Sequence, residues 1–140
     1  MLIASYRHLS MAGWAWPNFR PVELACKCRW HGCRGEYWQE PVFLDALEAL
    51  REKVGRAIRN NSGHRCGVRN VLVGGAAKSR HRRIAVDISL SGHDRHAVLE
   101  AAIACGFTGI GGTPAGQRAG AGALDASSRG PGPSDESAGI

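Results

Sequence analysis

Two groups of residues in this chain have the types and spacing to hold a metal ion. The first is His81 and Asp87, six residues apart. Asp87 interrupts the apolar run IAVDISL at Ile84–Leu90. An unpaired charge buried there is costly, so such an acid is ordinarily paired or bound to a cation. A salt bridge to Arg80, Arg82 or Arg83 is one answer. A metal is the other, because imidazole nitrogen and carboxylate oxygen both ligate zinc, and a loop histidine can converge with an aspartate on the strand it feeds. The second group is Cys26-x-Cys28-x2-His31-x-Cys33, with Cys66 further along. Structural zinc usually takes C-x2–4-C pairs, and C-x-C is a tight bite. Three readings of Cys26, Cys28 and Cys33 stay open: a structural metal, a disulfide formed after export, or plain buried thiols. The fifth cysteine, Cys105, makes the number odd, which argues against a fully paired disulfide framework.

These residues need elements to position them. The spacing of Phe43, Leu44, Leu47, Leu50 and Val54 predicts an amphipathic helix over 41–57, with Pro41 suited to its first position. Residues 57–61 read as a short strand before a turn at Ser62–Gly63. Residues 70–80, with Gly74–Gly75, read as a loop, and 84–90 as a buried strand. A second amphipathic helix spans 94–105, with Ala97, Leu99, Ala102 and Ile103 inward and Gly106 as its stop. Residues 107–110 form a further short strand. Trp14, Trp16, Trp30 and Trp38 all fall in the irregular segment 12–40, where they clamp loops onto the core.

The chain has 140 residues and a net charge of +6. Beyond residue 110 two arginines face three acids, so the excess lies in the body of the chain. A basic body suits a polyanion: nucleic acid, an anionic membrane surface or a bacterial wall. No run approaches the roughly 20 apolar residues of a membrane span. The N-terminus lacks an apolar core after a basic start, so cytoplasmic synthesis without a signal peptide is expected, and Met11 is an alternative start. From Gly111 onward Gly, Ala, Ser and Pro make up 21 of 30 residues, which predicts a disordered tail.

The order of the motifs is more specific than any one of them. Ser62-Gly63-His64-Arg65, Asn70, Val73-Gly74-Gly75-Ala76, Ser79-x-His81 and Ala85-Val86-Asp87-Ile88 follow one another in the body of the chain. They are preceded by Phe43-Leu44-Asp45-Ala46-Leu47-Glu48 and followed by Gly106-Phe107-Thr108-Gly109-Ile110-Gly111. Together they resemble the M15 zinc peptidases, in particular the M15A branch of D-alanyl-D-alanine carboxypeptidases and phage-type wall endopeptidases. The resemblance implies a small α+β domain over 18–111, with a mostly antiparallel sheet against two or three helices. An extension at 1–17 would precede it and the tail at 112–140 follow. It further implies that His81 and Asp87 are metal ligands to Zn2+, and that Arg65 is the catalytic arginine that holds a substrate carboxylate or oxyanion. Ser79 would bind substrate or cap its loop, and His64 would pack. The partner implied is a peptidoglycan stem peptide, with no nucleic acid or membrane and a monomeric chain. A phage or prophage endolysin released to the cell wall fits the absent signal.

Two features depart from the family pattern. The His-to-Asp spacing is six rather than seven. The family's third ligand, a histidine on a late strand, has no counterpart: the last histidine is His96, and Ala123-Leu124-Asp125 carries alanine at the expected place. A catalytic zinc normally has three protein ligands. An impaired peptidase is therefore expected, or else an inactive or frameshifted remnant that at most binds wall peptides, with Asp125 as a conceivable substitute ligand. A Cys/His zinc module on nucleic acid is disfavoured, since no helix gathers basic and polar residues on one face.

Overall fold

The computed structural model describes residues 1–28, 30, 32–112 and the backbone of 121–125. Two sheets and four helices make a small α+β fold, as expected. Strand β1 (Leu2–Ile3) pairs antiparallel with β2 (Tyr37–Trp38). Between them lie a 3-10 turn at Tyr6–His8 and the short helix α1 (Pro21–Leu24). Residues 1–17 are thus knitted into the domain. The Met1 ammonium donates to the Gln39 carbonyl at 2.7 Å, and Ser5 Oγ donates to the Arg34 carbonyl at 2.6 Å.

Helix α2 (Pro41–Val54) buries Phe43, Leu44, Leu47 and Leu50, the stripe set by their spacing. It stops three residues earlier than its periodicity suggested. Gly55 takes a left-handed conformation (φ 71°), and its N–H bonds the Arg51 and Glu52 carbonyls. Each of these fully buried side chains contributes roughly 1.5–3 kcal/mol. Phe107 meets Phe43 edge to face at 5.7 Å. Trp16 joins the core and Trp14 and Trp38 pack on its margin, whereas Trp30 is exposed. The Trp16 indole donates to Asp45 Oδ1 of α2 at 2.8 Å, tying the loop-rich segment to the helix.

Strand β3 (Asn60–Ser62) leads to α3 (Gly67–Leu72), a helix inside the stretch partly read as loop. Strand β4 (Val86–Ser89) alternates, with Val86 and Ile88 buried and Asp87 and Ser89 half-buried. It is therefore a one-sided strand rather than a fully buried one, and its acid sits on the open face. Helix α4 (Arg95–Ala104) is capped by Asp94, which accepts from Ala97 N–H at 3.0 Å. Its inward face is Val98, Ala101 and Ala102, not Ala97, Leu99 and Ile103, which are exposed. The small alanines let α4 pack against α2, a preference that hydrophobicity alone misranks.

Strand β5 (Gly109–Gly112) and β6 (Ala121–Asp125) complete an antiparallel sheet of order β3-β4-β6-β5. The expected disordered tail thus supplies the end of β5, Gly111 and Gly112, and all five residues of β6, which is paired on both sides; residues 113–120 and 126–140 lie outside the described residues. Backbone pairing holds β6, and that interaction takes no account of the Gly/Ala composition on which the expectation rested.

Candidate metal and substrate site

The site forms where β3, the turn before β4 and β6 meet. Between Asn60 and Ser62 the β3–β4 register shifts by a bulge, which sets Ser62 opposite Asp87. Bulges of this kind re-aim a side chain at a sheet margin. Ser62 Oγ donates a short hydrogen bond to Asp87 Oδ2, and Arg65 Nη2 donates to the same oxygen at 3.0 Å. The expected pairing of Asp87 with its chain neighbours Arg82 or Arg83 gives way to Arg65. Arg65 follows the bulged strand and reaches across the sheet. Arg82 instead donates to the Arg65 carbonyl at 3.4 Å, and Arg83 lies over the Trp38 ring at 5.6 Å. The Arg80, Arg82 and Arg83 side chains are exposed.

His81 arrives on a 3-10 turn, Arg80–Arg82, and is buried. Its Nδ1 lies 2.8 Å from the Gly63 carbonyl oxygen. A carbonyl only accepts, so Nδ1 carries a proton, and in the neutral ring Nε2 presents its lone pair. That Nε2 is buried with no hydrogen-bond partner, and it faces Asp87 Oδ1 at 3.3 Å. Two atoms bound at about 2.0–2.1 Å to one tetrahedral zinc lie roughly 3.3 Å apart. The pair therefore has the spacing and the fixed tautomer of two metal ligands, with the Gly63 carbonyl as the orienting partner. Burial alone would raise the Asp87 carboxyl. The His81 ring in its protonated form, the Ser62 hydroxyl and the Arg65 charge outweigh it and hold the group below the usual carboxylate range.

Several motif residues prove to be scaffolding for this pair. A side chain at Gly63 would strike the Leu24 carbonyl oxygen at 2.3 Å, so only glycine permits that approach. Asn70 donates to the Gly75 and Ala76 carbonyls at 3.2 and 2.9 Å and so folds the glycine loop that delivers His81. Ser79 Oγ accepts from His81 N–H at 3.3 Å, which is the capping role weighed for it. Both ring nitrogens of His64 are engaged, Nδ1 with the Arg83 carbonyl at 2.6 Å and Nε2 with Glu36 at 2.8 Å. His64 thus offers no lone pair to a metal. Glu36 carries no motif signal, and only the fold brings it to His64.

The third ligand position can be located by register. Ala123 of β6 is the antiparallel register partner of Asp87. Alanine has no donor atom. Among the described residues, His81 and Asp87 supply two of the three protein ligands that a catalytic zinc normally has.

The second cluster takes in the cysteine further along the chain. Cys26, Cys28 and Cys33 are joined by Cys66, and the four sulfur atoms lie within 4.8 Å of one another. His31 lies outside the described residues. Cys66 adjoins Arg65 and caps α3, accepting from Arg69 N–H at 3.4 Å.

Among the described residues no helix is long and apolar enough to cross a membrane. No curated protein matches the chain. A family model described as Peptidase M15 matches residues 17–118, which takes in every element that builds the His81–Asp87 pair except β6. On that match, with the ordered motifs now seen to serve one site, the chain belongs to the peptidase M15 family.

Proposed function

We propose that this chain is a zinc-dependent peptidase of peptidoglycan stem peptides, in the manner of D-Ala-D-Ala carboxypeptidases and wall endopeptidases, with hydrolysis impaired by its lost third ligand. The observation that carries the reading is the orphaned Nε2 of His81, buried and 3.3 Å from Asp87 Oδ1. When bound, zinc supplies an acidified water and a polarised carbonyl. The chain supplies His81 and Asp87 to hold the ion. Arg65 supplies a guanidinium fork suited to a peptide carboxylate or a developing oxyanion. Arg65 is now paired with Asp87; a metal on Asp87 would take over that neutralising role and free the fork for substrate.

The Asp87–Ala123 register also favours a second reading, an inactive domain that only binds wall peptides. Release of D-alanine from an acetylated peptide ending in D-Ala-D-Ala separates the two. The first reading expects slow release that grows with added zinc and vanishes in H81A and D87A. No release at any zinc concentration, with peptide binding weakened in R65A, would establish the second.

A further inference from the structure

We propose that Cys26, Cys28, Cys33 and Cys66 hold one structural zinc ion, separate from the His81–Asp87 pair. The geometry points to a mononuclear tetrahedral site. Four thiolates at about 2.3 Å from one zinc have sulfur atoms roughly 3.8 Å apart. The four Sγ atoms lie within 4.8 Å of one another, and Cys28 and Cys66 are 3.6 Å apart. A disulfide requires about 2.05 Å, and all five cysteines are free.

The surroundings suit thiolate ligands. Cys66 N–H donates to Cys26 Sγ at 3.4 Å and Arg69 N–H to Cys66 Sγ at 3.4 Å. Such donors stabilise negative sulfur. Four zinc thiolates leave a net charge of −2, and Lys27, Arg65 and Arg69 flank the ligands in sequence. A set of four protein ligands is closed, with no position for water, which marks a structural rather than a catalytic site. Three ligands come from one loop and the fourth from the residue after Arg65. The ion would therefore staple the segment 26–33 to the strand exit that presents Arg65.

The test uses the full chain purified under reducing conditions from zinc-supplemented medium. Metal analysis and zinc X-ray absorption on the wild type are expected to give one zinc per chain, with four sulfur neighbours at about 2.3 Å. That zinc is expected to persist in H81A, D87A and C105S, and to be lost in C33S and C66S. If the last two variants do not fold, the wild-type absorption spectrum still decides. Nitrogen and oxygen neighbours at about 2.0 Å would overturn the proposal by placing the metal on His81 and Asp87. So would a metal-free protein whose mass shows disulfides, or one with four freely reactive thiols. Iron as the bound metal under zinc-replete growth would overturn the identity of the ion.

Discussion

Replacing Ala123 with histidine should rebuild the catalytic metal site, and the size of the gain follows from the sheet register. Ala123 and Asp87 are direct antiparallel partners in the β4–β6 register. An imidazole at 123 can therefore reach an ion held by His81 and Asp87. Four-ligand structural zinc sites have apparent binding free energies of about 10–16 kcal/mol, or roughly 2.5–4 kcal/mol per ligand. At about 1.4 kcal/mol per decade, a third ligand should tighten zinc binding by roughly 10²–10³-fold. The assay is zinc competition against a chromophoric chelator, on protein whose tightly held zinc has first been counted, with D-alanine release measured in parallel. A123H should bind an additional zinc and release D-alanine faster than wild type. L124H should do neither, because a one-residue step turns the side chain to the other face. The reasoning fails if A123H gains no affinity, if L124H gains as much, or if the gain survives loss of His81.

Four further outcomes follow from the geometry. In zinc-limited medium H81A should carry the same zinc content as wild type, since two ligands hold the ion weakly; loss of one full equivalent would refute the two-ligand site. Y37F should be neutral or stabilising by about 1 kcal/mol, read as a denaturant midpoint, because the Tyr37 hydroxyl is fully buried with no partner among the described residues. G63A should destabilise by roughly 1–3 kcal/mol or more, because Leu24 backbone would have to move; an unchanged midpoint would falsify the close approach. The depressed Asp87 carboxyl adds stability that is present above its unfolded value of about 3.9 and is lost as pH falls through the lower folded one. Wild type should therefore lose more stability than D87N on acidification below about pH 4, measured as melting temperature against pH. Parallel curves would contradict the Ser62–Arg65–Asp87 cluster.

How far this site could be read beforehand depended on how local its signals were. Helix α2 was legible because Phe43, Leu44, Leu47 and Leu50 lie on one stripe, and His81 with Asp87 because an acid in an apolar strand demands a partner. Helix α3 was missed because Val71 and Leu72 are exposed, so no stripe marks it, and the glycines beyond it read as loop. The true partner of Asp87 was hidden because the β3 bulge, not sequence distance, delivers Arg65. Cys66 lies 40 residues from Cys26, so spacing left its membership open, and folding brings its sulfur to the other three. Strand β6 was illegible because backbone pairing holds it, and Gly, Ala and Ser advertise no such role.

The place of β6 also sets when the domain can be finished. It lies between β4 and β5 yet is the last of the three to leave the ribosome. Its arrival pairs both of them at once, and β5 has no other neighbour in the sheet among the described residues. Until residue 125 emerges, the nascent chain carries β4 with one open edge and β5 with two, bare templates for another strand. Synthesis proceeds at about 5–20 residues per second, so that exposure is short in normal elongation. A chain cut short before residue 121 would keep those edges open for good, a standing point of vulnerability to aggregation and chaperone capture.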